Sequence, residues 1–238
     1  MADPRGTALY RHFRGEVDRA GVPPSPPGTP VTEAPVGEGD LADLPDVVRR
    51  YLQFMRVEGR PRDRAVQARF VGRFRLRRFG WMPAEAWQLD RAPTVARLFV
   101  MRLRMARVLP MVGVDSYLNG RGQMIGKLFD RFTVADGQGE EFDIGELTTY
   151  LNDAVLLAPS MLLEPHVAWE EVDDASFIVA LTDSGRTVSA RVDVDERGAP
   201  MGFVSSDRFA DLPGGPVRAP WRTPVESWGT SGDRPIPG

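Results

Sequence analysis

Val66-Gln67-Ala68-Arg69-Phe70-Val71-Gly72-Arg73-Phe74-Arg75-Leu76-Arg77-Arg78 alternates at every second residue. Val66, Ala68, Phe70, Phe74 and Leu76 fall on one side, and Arg69, Arg73, Arg75 and Arg77 on the other. A β-strand sends successive side chains to opposite faces, so this spacing predicts a strand with one apolar and one arginine face. The pattern recurs downstream. Residues 84–90 read as a second strand, and 95–105 as a third, with Phe99, Met101 and Leu103 opposite Arg102 and Arg104. Residues 112–118 and 123–129 flank Asn119-Gly120-Arg121-Gly122, a turn whose residues tolerate positive φ. This half of the chain is expected to be an antiparallel meander.

Beyond residue 140 the period changes. Ile144, Leu147, Leu151, Val155 and Ala158 trace a helical stripe, and Asp143 with Glu146 has the spacing of a capping box. Pro159 ends the helix. Strands are then expected at 167–172, 176–182, 187–194 and 201–209, with one more at 221–228. Upstream, Leu44, Val47, Val48, Tyr51, Leu52 and Met55 form another helical stripe, with Asp43 as its cap and Pro45 in its first turn. Residues 4–20 suit a short helix, and the proline-rich 21–40 suits a linker. The expected organisation is an N-terminal extension and linker over 1–40 and a single domain over 41–238.

A sheet interrupted by a hydrophobic helix predicts an α+β fold: a strongly curved antiparallel sheet, or half-barrel, with the helix 143–158 on its concave side. A space between sheet and helix would hold a ligand, and Met101, Met105, Met124 and Met161 would adapt its walls.

Composition narrows the chemistry. The 238 residues contain no cysteine, which excludes disulfides, thiol nucleophiles and thiolate metal sites, and only two histidines, His12 and His166. Net charge is −3, too balanced to imply a nucleic-acid protein by itself. Its distribution is uneven: 49–107 carries 16 arginines against four acidic residues, and 130–197 carries 16 acidic residues against four arginines. Lys127 is the single lysine. The start lacks a basic stretch followed by an apolar one, so no secretory leader is expected and the expected location is the cytoplasm. The longest apolar run, 154–163, is too short for a transmembrane helix of roughly 20 residues. Gly120, Gly122 and Gly126 miss the dinucleotide fingerprint and sit in a hairpin. The stretch from Asp193 begins like a calcium loop, but Val204 stands where the closing Glu belongs. No phosphate-binding loop and no nucleophile elbow is present.

Leu44-Pro45-Asp46-Val47-Val48-Arg49-Arg50-Tyr51-Leu52, Trp81-Met82-Pro83-Ala84-Glu85-Ala86 and Asp115-Ser116-Tyr117-Leu118-Asn119-Gly120-Arg121-Gly122 are distinctive. With Gly145-Glu146-Leu147, Tyr150-Leu151 and Trp169-Glu170-Glu171-Val172-Asp173-Asp174 they resemble an uncharacterised family common in actinobacteria, over about 41–238. That family has no assigned activity, so the resemblance carries over no functional residue. Its members continue with further strands, which implies that this chain is truncated at its C-terminus. The strand–helix–strand order also resembles the half-barrels of lipoprotein carriers, a likeness of fold alone.

The expected function is non-enzymatic binding of an apolar or lipid-like small molecule through Phe70, Phe74, Phe99, Met101, Leu103, Leu147 and Leu151. One alternative is an enzyme for a hydrophobic substrate, in which Glu85 or Asp115 acts as acid or base beside Tyr117. Another is an interaction module that meets an anionic partner with the arginine face. No cofactor and no metal is expected. Nucleic acid is not an expected partner, because the arginine face lacks interleaved aromatics for bases to stack on.

Overall fold

In the computed structural model, residues 3–22, 34–76, 80–105, 109–129, 131–212 and 215–238 are described. The chain divides into two compact units, Met1–Pro27 with Ala65–Glu146, and Gly28–Arg64 with Leu147–Gly238. The strands of the two halves form separate sheets rather than the one expected. Periodicity identifies strands but not their partners, and the division falls where helix succeeds meander.

The first unit is built on a six-stranded antiparallel meander, in the order β1 (Ala65–Leu76), β2 (Gly80–Arg91), β3 (Ala96–Met105), β4 (Leu109–Leu118), β5 (Arg121–Leu128) and β6 (Phe132–Gln138). The β4–β5 connection is the two-residue turn Asn119-Gly120, with φ of 52° and 75°. Strand β6 is not among the strands expected from the sequence; Asp136 and Gly137 interrupt its Phe132-Val134 alternation.

Helix α1 (Ala8–Arg19) covers one face of this sheet. Thr7 caps it by accepting from the Tyr10 N–H at 3.2 Å. Its Leu9, Phe13 and Val17 pack on Trp87 and Leu89 of β2, Leu98 and Val100 of β3, and Val112 and Val114 of β4. The Tyr10 ring lies 4.7 Å from the Trp87 ring. The N-terminal segment is thus part of a hydrophobic core, not only an extension. The central part of the proline-rich linker, 23–33, lies outside the described residues.

The second unit carries a five-stranded antiparallel sheet formed by β7 (Val167–Asp173), β8 (Ser176–Asp183), β9 (Arg186–Val194), β10 (Pro200–Leu212) and β11 (Gly215–Pro224), in the order β11-β10-β9-β8-β7. A separate hairpin pairs β12 (Trp228–Ser231) with β13 (Arg234–Pro237). The strand expected at 221–228 is instead the end of β11 and the start of β12. Pro216, Pro220 and Pro224 obscure β11, which tolerates them as an edge strand.

Two further helices, α2 (Glu38–Leu41) and α3 (Asp46–Phe54), belong to this unit. Pro45, not Asp43, occupies the cap position of α3. The apolar stripe of α3 is buried as its spacing predicts, and the Tyr51 ring lies 5.1 Å from Phe177. Helix α4 (Glu140–Leu157) begins three residues before the expected capping box, and its first turns belong to the first unit. Neither sheet closes into a barrel. Among the described residues, no helix is long and apolar enough to cross a membrane.

Candidate functional site

Strands β1 to β5 pair without a register shift, so cross-strand partners share a face. The face opposite α1 is made of successive rows. One row runs Phe70, Ala86, Met101, Gly113 and Gly126. The next runs Ala68, Gln88, Phe99, Asp115 and Met124, and the next Val66, Asp90, Arg97, Tyr117 and Gly122. On the other side of the Met101 row lie Leu103 and Met111, and beyond them Phe74 beside Met82. The face grades along the strands from apolar to polar.

The polar end is closed by the start of α4. Gly122 and Gly137 allow this approach: a Cβ on Gly122 would stand 2.1 Å from the Phe142 carbonyl oxygen, and one on Gly137 would stand 2.2 Å from the Phe142 ring. Asp143 accepts the Gly122 N–H at 2.7 Å, and its other oxygen is 3.3 Å from the Arg121 guanidinium. The Arg97 guanidinium donates to Glu146 at 2.8 Å, with the two side chains 4% and 6% exposed. The Arg97 guanidinium also lies over the Phe99 ring, at 5.1 Å. Gln88 donates to Asp90, and both are buried. The Asp143–Glu146 spacing thus ties α4 to the sheet instead of capping it.

The apolar end is open. Phe70 is 38% and Phe74 40% exposed, and their strand β1 is the sheet edge. Phe99 and Met101 are half-buried, and the rings of Phe70 and Phe99 are 6.3 Å apart. Leu103 is buried. Five of the expected ligand-contacting residues therefore share one face of one sheet. Leu147 and Leu151 are fully buried in the second unit, as is Met161.

Of the two expected catalytic arrangements, strand alternation separates Glu85 from Tyr117, whereas Asp115 and Tyr117 share a face. Asp115 and Tyr117 stand on the face opposite α1, two residues apart on β4. Glu85 projects from the other face, where it pairs with Arg69 at 3.0 Å. An acid–base pair of Glu85 with Asp115 or Tyr117 is therefore excluded by strand alternation.

Glu85 belongs to a basic surface. Arg69, Arg73 and Arg75 of β1 and Arg102 and Arg104 of β3 share the α1 side of the sheet. Contrary to expectation, an aromatic is interleaved there: Trp81 pairs with Arg75 in register, and Arg73 lies 5.9 Å from its ring. Arg77 lies outside the described residues.

Hollows besides this open face occur among the described residues. A polar cleft of about 330 Å³ is lined by Ser116, Leu118, Arg121, Gly122, Gln123, Gln138, Gly139 and Asp143. Gln123 and Gln138 both donate to Asp136 nearby, which holds its carboxyl below the usual range. In the second unit a crevice of about 10 Å³ beside Asp63, Ser160 and Arg234 has room for one water. Among the described residues no group of three or more potential ligands is placed to hold a metal ion.

No curated protein and no solved structure matches the chain. A family model described as a family of unknown function, DUF6544, matches residues 34–238. The chain belongs to the DUF6544 family.

Proposed function

We propose that the protein binds an amphipathic, lipid-like small molecule on the face of the six-stranded sheet opposite α1. Its apolar chain lies along Phe70, Phe74, Phe99 and Met101, over buried Leu103, and its hydrogen-bonding head sits toward Asp115. Leu147 and Leu151 contribute packing rather than contact. One observation carries the reading: two aromatics of this face stand exposed beside half-buried Phe99 and Met101. Phe70 and Phe74 are exposed, while Gln88, Asp90 and Arg97 are buried. Water-exposed aromatics in a continuous patch mark a surface meant for contact. The buried polar groups hold the far end rigid, which leaves the apolar end as the place for a guest. The half-barrel belongs to this proposal: the sheet curves around the ligand, and the register shift between Gly126 and Lys127 supports local bending. The strand–helix–strand order, which resembles that of lipoprotein carriers, is an analogy of element order alone.

A fluorescent fatty-acid probe tests the site. The protein binds the probe saturably, Met101→Arg reduces binding at least ten-fold, and Arg102→Ser on the opposite face leaves it unchanged. Equal binding by Met101→Arg and the parent protein refutes the assignment.

A further inference from the structure

The last residues of β1, β3 and β5 and the first residues of β2, β4 and β6 gather at one end of the meander, beyond the positions that α1 covers. Exposed aromatics and arginines stand at the strand ends there. Trp81 is 57%, Phe129 50% and Phe132 58% exposed. Arg73, Arg75 and Arg131 are exposed among them, with Arg73 lying 5.9 Å from the Trp81 ring and Arg131 5.6 Å from the Phe132 ring. Phe129 holds φ at 55°, a conformation unfavourable for a bulky residue, and its N–H donates to the Pro110 carbonyl at 2.9 Å. The chain thus holds a strained backbone in presenting an aromatic ring to solvent, beside the neighbouring hairpin.

We propose that this end of the six-stranded sheet docks on an anionic lipid bilayer. Trp81, Phe129 and Phe132 enter the headgroup region, and Arg73, Arg75 and Arg131 meet the lipid phosphates. Charge complementarity selects an anionic surface, since the arginines extend above apolar rings and keep their guanidinium groups in the polar layer. The aromatics come from separate hairpins at this end, and exposed Val134 lies two residues beyond Phe132 on β6. An aliphatic side chain inserts among lipid but offers no stacking plane to a base, so a bilayer fits this end better than single-stranded nucleic acid. Docking by the end of the sheet does not need a ligand on its face.

Vesicle flotation of the full chain tests it, using phosphatidylcholine alone or mixed with phosphatidylglycerol. The protein floats with the anionic vesicles and not with the neutral ones, and rising salt weakens the association. Replacing a phosphate-facing arginine with glutamine weakens binding about five-fold per side chain. Trp81→Ser/Phe132→Ser weakens it without changing the circular dichroism spectrum, because both side chains are exposed. Arg11→Gln/Arg14→Gln on α1 serves as the charge-matched control and retains binding. Equal flotation with both vesicle types, no flotation, unchanged binding by the tip variants, or binding to single-stranded RNA without vesicle binding each overturns the proposal.

Discussion

The Arg97–Glu146 pair joins β3 to the start of α4, and its removal gives a quantitative test of how the polar end of the sheet is held. At 2.8 Å and an effective dielectric of about 20, the attraction is about 6 kcal/mol. Burying both charges costs several kcal/mol per ion, so the pair as a whole is close to neutral. Removing one partner leaves the other charge buried, which costs about 3–5 kcal/mol. Arg97→Met and Glu146→Leu are each expected to lose that amount, or about 6–20 °C in Tm at the size of this chain. The double variant Arg97→Met/Glu146→Leu loses less than the sum of the two, because both single replacements remove the same interaction. Urea unfolding supplies the energies, and hydrogen exchange over β3 and β4 localises the loss to the first unit. Near-neutral single variants, or losses that simply add, would refute this role for the pair.

Three other contacts make equally specific predictions. Gly122→Ala puts a Cβ 2.1 Å from the Phe142 carbonyl oxygen and is expected to detach the first turn of α4, read as faster hydrogen exchange over 140–146. Tyr51 donates to the Val155 carbonyl at 2.8 Å from full burial, which also pushes its hydroxyl pKa well above 10.0. Tyr51→Phe leaves that carbonyl unsatisfied at the end of α4 and costs about 1–3 kcal/mol in urea unfolding. The His12 hydrogen bond, with Arg19 beside it, holds the Glu16 carboxyl below 4.5 against the opposing effect of burial. A depressed folded pKa contributes stability that is present above about 4.5 and lost as pH falls through the folded value. Glu16→Gln therefore flattens the unfolding midpoint across that acid window; an unchanged acid slope contradicts the assignment.

The strands of the first unit were legible because their faces differ in chemistry. The 66–78 alternation marked β1, although Phe70 and Phe74 remain exposed since β1 is an edge strand with one neighbour. Asn119-Gly120 marked its hairpin, and the stripe of α3 marked its buried side. Strands β6 and β11 were obscured by glycines and prolines, whose tolerance at an edge depends on tertiary position. Pairing between strands and the division into two units depend on contacts that local periodicity does not encode. The same holds for the candidate site. The apolar residues could be placed on one face by counting, but Asp143 and Glu146 fit a local cap equally well. Their partners, Gly122 and Arg97, lie 21 and 49 residues away. The separation of Glu85 from Asp115 was implicit in strand parity once the register was known. The basic surface around Trp81 required the β1–β2 pairing, since Trp81 and Arg75 belong to different strands.

Mass spectrometry of the protein as purified, first under native and then under denaturing conditions, tests ligand binding by the sheet most directly. The expected result is an added mass in the native spectrum that is released on denaturation and extracts into organic solvent as an amphipathic molecule, with Met101→Arg lacking it. A native mass equal to the bare chain, remaining so after incubation with fatty acids and phospholipids, would contradict it.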